Sequence, residues 1–239
     1  MADPEHADRD NFAEDPAEAE KAMAAGSAAA LVEDGMTVGL GTGSTVAFLV
    51  PALAGRHLSI VCVATSPATE ALGRSLGLEV KAFDSRDSPA RLDIAIDGAD
   101  QVAPDGWLVK GGGAAHTREK VVAATAERFV VIVSTNKLVE ALAPPVPLEI
   151  LAFGSSSTLR RLGGARVRPS TPMSPDGGII ADWVDPLDDP ADLAAYLDSI
   201  PGVVSHGLFP PSMVNDVIVA GSHHSRPPSA PTLNAWVHR

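Results

Sequence analysis

Short apolar runs alternate along the first 143 residues with segments in which alanine and leucine recur at helical spacing. The runs are four to seven residues long and rich in β-branched residues, as is typical of strands buried on both faces. They are 36–40, 58–64, 78–83, 92–96, 107–110 and 129–134. The helical segments are 17–33, one that follows GTGST and ends near residue 54, 67–77 and 114–129. This alternation predicts an α/β fold with a Rossmann-like, mostly parallel sheet.

The pattern of predicted strands and helices changes after about residue 143. Residues 144–207 follow a β-α-β-β-α-β order, which predicts a second, smaller α+β domain of ferredoxin-like type. The apolar run 215–221 then predicts one more core strand that returns to the first sheet. The predicted organisation is an acidic flexible tail (1–16), an α/β catalytic domain (17–143 plus 208–222), the small domain (144–207) and a loose C-terminal tail (223–239).

Composition and charge narrow the class of protein. The chain has 239 residues, is 45% hydrophobic and carries a net charge of -12, with eight acidic residues and one arginine among the first twenty. The rest of the chain has no dense Lys/Arg stripe, so we expect no nucleic-acid partner. No signal peptide or 18-residue apolar run is present, so we expect no membrane partner and a cytoplasmic protein. Cys62, the single cysteine, is expected to be a packed strand residue.

The motif GLGTGST (39–45) follows a predicted strand and opens a predicted helix. Glycines at that place let backbone N–H groups face an anion at the positive end of the helix dipole. Ser44 and Thr45 add hydroxyl donors, and Ser44 is also a candidate N-cap. The motif lacks the GKS/T ending of a Walker A loop and the third glycine of a dinucleotide fingerprint. It predicts either a phosphate cradle or a tight strand–helix turn.

Two aspartates, Asp97 and Asp100, end a buried strand in IDGAD (96–100). The carboxyl ends of strands line the binding crevice of an open α/β sheet, so these carboxylates could exchange protons with sugar hydroxyls. An Asx-turn with a helix cap is the structural alternative.

The segment KGGGAAHTREK (110–120) places three glycines between a cation and a helix that carries Glu119. The glycines allow the backbone to approach a small anion, on which Lys110 and Glu119 could act. Lys137 in STNK follows the next strand and could neutralise a phosphate or an enediolate. A helical wheel puts Val121, Val122 and Phe129 in the buried arc and Glu119 at its flank. The same wheel predicts that three side chains point to solvent: His116, Lys120 and Glu127.

Together and in this order, GTGST, DGAD, KGGGAAHTREK and the lysine of STNK resemble ribose-5-phosphate isomerase of the A type. The resemblance continues through PVPLEI, the RRLGG helix and PGVVSHGLF, and covers roughly residues 17–222. It implies interconversion of ribose 5-phosphate and ribulose 5-phosphate, in the non-oxidative branch of the pentose phosphate pathway, without metal or cofactor. It also implies a homodimer or homotetramer.

The resemblance implies roles for individual residues. Glu119 matches the general base, which would move a proton between C2 and C1 through a cis-enediolate. Asp97, Asp100 and Lys110 would be the other catalytic residues, and Lys21 is a weaker candidate for the phosphate. The implied substrate-binding residues are Thr42, Gly43, Ser44, Thr45, Asp97, Gly98, Ala99, Asp100, Lys110, Gly111, Gly112, Gly113 and Lys137.

Two positions depart from the family pattern, and two other functions stay open. Gln101 stands where glutamate is frequent, and Ala114 where a fourth glycine is common; neither position has a proposed chemical role. A sugar-phosphate-sensing binding module would add a helix-turn-helix, whereas only an acidic segment precedes Lys21. A CoA-transferase-like enzyme on a related fold would need a glutamate at a nucleophile turn.

Overall fold

The computed structural model describes residues 15–225. Its helices are α1 (Pro16–Ala29), α2 (Val46–Ala54), α3 (Pro67–Ser75), α4 (His116–Thr125), α5 (Ser155–Leu162) and α6 (Pro190–Asp198), with 3-10 turns at Thr135–Lys137 and Pro211–Met213. Its strands are β1 (Thr37–Leu40), β2 (Val61–Ala64), β3 (Glu79–Lys81), β4 (Leu92–Asp97), β5 (Gln101–Val102), β6 (Leu108–Val109), β7 (Ala126–Val133), β8 (Val146–Ile150), β9 (Ala165–Val167), β10 (Ile179–Trp183), β11 (Val203–His206), β12 (Leu208–Phe209), β13 (Asp216–Val219) and β14 (Ser222–Ser225).

A seven-stranded sheet in the order β14-β13-β7-β4-β1-β2-β3 forms the centre of the larger domain. All neighbouring pairs are parallel except β13 with β14. Leu40, Ile96 and Ile132 face α1 and α2, while Ala95 and Val131 face α4. Because helices cover both faces, the strands are apolar on both sides, as their sequence runs predicted. The predicted α/β class is confirmed, as is the return of the late strand β13 to this sheet.

The small domain has the predicted β-α-β-β-α-β order. Its antiparallel sheet is ordered β11-β8-β10-β9, which is the ferredoxin-like arrangement. Leu148, Ile150 and Ala181 on one sheet face pack against Leu162 of α5 and Leu197 of α6. The opposite face of β8 points toward the larger domain, where buried Glu149 contacts Thr117 of α4. Helix α4 is therefore held between the two sheets.

The apolar run VVSHGLF (203–209) is interrupted: it forms β11 and β12 in two different sheets. Gly207 lies between the two strands. Only glycine fits at this position, because a Cβ there would lie 2.2 Å from the carbonyl oxygen of Lys110. The Gly207 N–H donates to Pro147, and its carbonyl accepts from the Lys110 N–H. The pairing of β6 with β12 therefore places Lys110 beside the segment in which the chain leaves the small domain.

Several predicted boundaries differ from those in the structure. Helix α1 ends at Ala29 rather than at 33, and α4 ends at Thr125 because β7 already begins at Ala126. The loose C-terminal tail predicted from 223 contains part of β14, where His223 and His224 pair with β13. The rest of that tail, from 226, and most of the acidic tail, 1–14, lie outside the described residues. Among the helices of the described part, none has both the length and the apolarity to cross a membrane.

Candidate active site

A cleft of about 100 Å³ lies where β1, β4, β6 and β7 end. The loops after β1, β4 and β7 meet here because the carboxyl ends of parallel strands lie on one side of a sheet. The loop after β6 comes from the three-stranded antiparallel sheet β12-β6-β5. Every substrate-binding residue implied by the sequence except Asp97 lines it: Thr42, Gly43, Ser44, Thr45, Gly98, Ala99, Asp100, Lys110, Gly111, Gly112, Gly113 and Lys137, together with Glu119.

The loop between β1 and α2 has the geometry of an anion site. Gly43 has a φ of +116°, a conformation that favours glycine. Thr45, not Ser44, is the N-cap residue of α2, and its side chain makes no capping hydrogen bond. Within residues 15–225 the first N–H groups of α2 therefore have no side-chain acceptor at the positive end of the helix dipole. The prediction of Ser44 as an N-cap was wrong; Ser44 is exposed at the cleft.

Asp97 lies behind the cleft rather than in its lining. One carboxylate oxygen accepts from the N–H groups of Thr42 at 3.0 Å and Gly98 at 2.7 Å, and the other contacts the Lys110 ammonium at 2.9 Å. Gly41 makes this possible, because a Cβ at residue 41 would overlap the Asp97 side chain. Asp97 therefore connects Lys110 to the loop between β1 and α2 (residues 41–45), which we call the anion loop.

Lys110 is buried, and three oxygen atoms surround its ammonium. They belong to Asp97 at 2.9 Å, Glu119 at 3.0 Å and the Gly98 carbonyl at 2.6 Å. The ring of Phe209 lies under the same ammonium, 5.5 Å from centroid to Nζ. Burial lowers the pKa of Lys110, but Asp97 and Glu119 raise that pKa by more, so Lys110 stays charged.

Glu119 projects from the first turns of α4 and is only 4% exposed. Burial and the charge of Asp97 raise its pKa to about 8, against the lowering effect of Lys110. Burial likewise raises the pKa of Asp97. One ammonium can neutralise only one of two carboxylates, and Asp97 has backbone donors of its own. The carboxyl that keeps its proton to higher pH is therefore Glu119, and such a group is suited to proton transfer near neutrality.

The glycine turn closes the site on its outer side. The Gly112 N–H donates to Asp100 at 2.7 Å, and a Cβ at residue 112 would also lie 2.7 Å from that carboxylate. Gly111 has a φ of +99° and packs on the ring of His116. Ala114, which follows the three glycines, has a φ of +60°. The turn therefore keeps the left-handed conformation even at the position where alanine stands.

The two other candidate lysines lie in different places. Lys137 lines the cleft from the 3-10 turn after β7, and Thr135 of that turn donates to Glu20 of α1. Lys21 instead pairs with Glu18 at 2.6 Å and is not among the cleft-lining residues. The structure thus brings Lys137 to the site but not Lys21.

The helical wheel of α4 was wrong on three residues. His116 is fully buried, and burial lowers its pKa to about 3. Lys120 donates to the His206 carbonyl at 2.7 Å and lies 5.0 Å from the Phe209 ring, and burial lowers its pKa to about 8. Val121, predicted to be buried, is 51% exposed. The small domain covers the side of α4 that the wheel assigned to solvent.

Sequence reasoning gave no role to Gly41, Phe209 or Arg168. Gly41 was visible within GLGTGST, but the need for a glycine there depends on Asp97. Phe209 and Arg168 are distant in sequence from the four motifs and reach the site only through sheet pairing. As expected, Cys62 is a buried strand residue, and burial raises its pKa to about 12. Within residues 15–225 no group of three or more His, Cys, Asp or Glu side chains could hold a metal ion.

The fold and the site together define an acid–base enzyme on an α/β sheet, with an anion-binding helix end opposite a buried carboxyl–ammonium pair. Comparisons with known proteins specify the family. The family model described as ribose 5-phosphate isomerase A (phosphoriboisomerase A) matches residues 61–224. A ribose-5-phosphate isomerase A of Methanoregula boonei is 42% identical over 221 residues, 87% of this chain and 92% of that protein.

Solved structures agree. The ribose 5-phosphate isomerase A of Methanocaldococcus jannaschii superposes with a TM-score of 0.80 at 32% identity, covering 87% of this chain and 99% of that one. A D-ribose-5-phosphate isomerase in complex with phospho-erythronic acid gives a TM-score of 0.80 at 33% identity, covering 88% and 99%. The chain belongs to the ribose 5-phosphate isomerase A family.

Proposed function

We propose that the protein interconverts D-ribose 5-phosphate and D-ribulose 5-phosphate, a step of the non-oxidative pentose phosphate pathway. The observation that carries the proposal is the buried contact of Glu119 with Lys110, 3.0 Å apart, at a cleft whose other side is the uncapped end of α2. A base, a fixed cation and an anion site thus share one cleft. An aldose–ketose isomerase acting on a phosphorylated sugar needs these three functions.

The substrate phosphate binds at the start of α2, where the N–H groups and hydroxyls of Ser44 and Thr45 face the cleft. Lys137 is the cleft-lining lysine that adds positive charge. Asp100 and the glycine turn bind the sugar hydroxyls at the other end. This orientation places C1 and C2 beside Glu119.

Glu119 in its ionised form takes the proton from C2 and, as the acid, returns it to C1. When Glu119 becomes protonated, its negative charge has moved to the enediolate. Lys110, which held that charge at 3.0 Å, then turns one N–H toward an enediolate oxygen. The electrostatic partner of Lys110 therefore changes as the reaction proceeds, which favours the charge distribution of the transition state.

Asp100, which lines the cleft, moves the hydroxyl proton between O1 and O2 and assists ring opening. Asp97 was the alternative for this step. Because its oxygens contact Lys110 and two backbone N–H groups behind the cleft, Asp97 orients Lys110 instead.

A coupled assay with ribose 5-phosphate, run with and without a chelator, tests the proposal. We expect isomerisation that EDTA does not change, and loss of turnover in Glu119→Gln. Activity that needs a divalent ion would contradict the mechanism. Acyl transfer from a CoA ester, or tight sugar-phosphate binding without turnover, would instead support the CoA-transferase-like or the sensing alternative.

Family membership also supports a homodimer or homotetramer working in the cytoplasm. Light scattering coupled to gel filtration would measure the oligomeric state, and a monomer at micromolar concentration would contradict that part of the proposal. Fractionation of the source cells would test the location.

A further inference from the structure

Arg168, which follows β9 of the small domain, reaches across to the glycine turn of the active site. Its Nη1 donates to the carbonyl oxygens of Gly111 at 3.2 Å and Gly112 at 3.0 Å. Its Nε and Nη2 donate to the two oxygens of Asp182 on β10, at 2.9 and 2.5 Å. The Arg168 and Asp182 side chains are only 17% and 16% exposed. A planar guanidinium held on two sides in this way has little freedom.

These contacts fix the orientation of two peptide groups. In a trans peptide the C=O and N–H point in opposite directions. The carbonyl of Gly111 faces Arg168, and the N–H of the same peptide, on Gly112, points away and donates to Asp100 at 2.7 Å. The carbonyl of Gly112 also faces Arg168, so the N–H of Gly113 points away from it. Gly113 lines the cleft, and among residues 15–225 its N–H has no hydrogen-bond acceptor.

We propose that Arg168 is a positioning residue for the isomerisation, holding the turn so that the Gly113 N–H faces the substrate and Asp100 keeps its orientation. The proposal rests on the proposed function. Glycines are the most flexible residues. Within the turn the Ala114 N–H donates to the Gly111 carbonyl at 3.0 Å, and Arg168 adds contacts from the small domain to both the Gly111 and the Gly112 carbonyls, which hold the peptide between Gly112 and Gly113. Arg168 does not line the cleft, and Nε, Nη1 and Nη2 all contact protein oxygens, so it acts through the turn.

The test compares Arg168→Ala and Arg168→Lys with the control Arg166→Ala. Arg166 lies on β9, two residues before Arg168, and within residues 15–225 its guanidinium donates only to the nearby carbonyls of Gly163 and Ala165. For each variant kcat, KM, the melting temperature and the affinities for phospho-erythronic acid and inorganic phosphate are measured. Phospho-erythronic acid probes the whole cleft, whereas inorganic phosphate probes the anion loop alone.

We expect Arg168→Ala to lower kcat by about 10- to 100-fold, the usual effect of a small misplacement of catalytic groups. Its affinity for phospho-erythronic acid should fall, and its affinity for inorganic phosphate should stay within twofold of the wild-type value. Arg168→Lys should restore only a minor part of kcat, because an ammonium cannot bridge two carbonyls and a carboxylate in the same plane. Arg166→Ala should behave as the wild type.

Unchanged kcat in Arg168→Ala, full recovery with lysine, or an equal loss of phosphate binding would overturn the proposal. If the alanine variant does not fold, Asp182→Asn, which weakens the hold on the guanidinium, must lower kcat without lowering phosphate affinity. A wild-type protein without isomerase activity would refute the proposed function instead. The binding of phospho-erythronic acid to the variants would then still test whether Arg168 positions the glycine turn.

Discussion

The pKa of Glu119 makes a quantitative prediction about the pH dependence of the enzyme. Burial and Asp97 raise this pKa to about 8, and proton abstraction requires the ionised form. One pH unit below a pKa, roughly one tenth of the groups are ionised, since each unit is a factor of ten. We therefore expect kcat/KM for ribose 5-phosphate to rise about tenfold between pH 7 and its plateau above pH 9.

Asp97→Asn tests the cause of the shift. It removes the charge that raises the Glu119 pKa and leaves Lys110, which lowers it. The midpoint of the kcat/KM profile should therefore move to lower pH, whatever the variant does to the plateau. Asp176→Asn is the matched control, because Asp176 contacts α4 through Arg118 but does not affect the Glu119 pKa.

Folding stability measures the same pKa independently. The Glu119 carboxyl keeps its proton to about pH 8 in the folded state but loses it near 4.5 in the unfolded state. Between these values the folded state binds more protons, so this group lowers stability as pH rises through the window. Relative to Glu119→Gln, the wild type should lose melting temperature from pH 5 to 8. A kinetic midpoint near pH 4.5, together with a pH-independent difference between the two proteins, would refute the reasoning.

Three further predictions concern side chains of the cleft and the glycine turn. Glu119→Gln should keep the fold and substrate affinity but lower kcat by about 10²-fold or more; near-normal turnover in a folded variant would remove Glu119 as the base. Ser44→Ala with Thr45→Ala should raise KM for ribose 5-phosphate far more than for unphosphorylated ribose, and equal effects on both sugars would indicate a purely structural turn. Ala114→Gly should raise the free energy of unfolding by up to ~1 kcal/mol in urea titrations, because glycine relieves the left-handed conformation at φ +60°; a loss of stability would show that this conformation carries no strain.

The larger fold and the four site motifs could be predicted because they depend on local sequence. A buried parallel strand is apolar on both faces, so β1, β4 and β7 stand out without knowledge of their neighbours. Each motif follows directly after a strand, and the carboxyl ends of parallel strands meet. Proximity of Thr42, Asp100 and Lys137 therefore follows from strand order alone.

The orientation of α4 could not be predicted, because it depends on what packs against both sides of the helix. The wheel used Phe129 as a reference for the buried side, but Phe129 belongs to β7. It also treated α4 as covering one sheet, whereas β8 and β11 of the small domain contact it as well. His116 is buried for that reason, and tertiary packing decides its environment in place of amphipathic spacing.

Arg168 and Phe209 escaped prediction for a different reason. They lie 57 and 99 residues after Gly111 and Lys110 respectively, beyond any local pattern. Their contacts arise from the antiparallel register of β9 with β10 and of β12 with β6. A single sequence carries no signal for such pairings.

The placement of β12 and β13 after the small domain sets the order in which a nascent chain can become an enzyme. When synthesis has reached His206, all the residues that line the cleft already exist, but Phe209 does not yet lie under Lys110 and β7 lacks one of its two neighbours, β13. The small domain, whose sheet is complete at that point, can fold first and pack against α4. The last strands then close the central sheet through long-range pairing, which is slow compared with local folding. We therefore expect catalytic competence late in biosynthesis, after the scaffold around Glu119 is already in place.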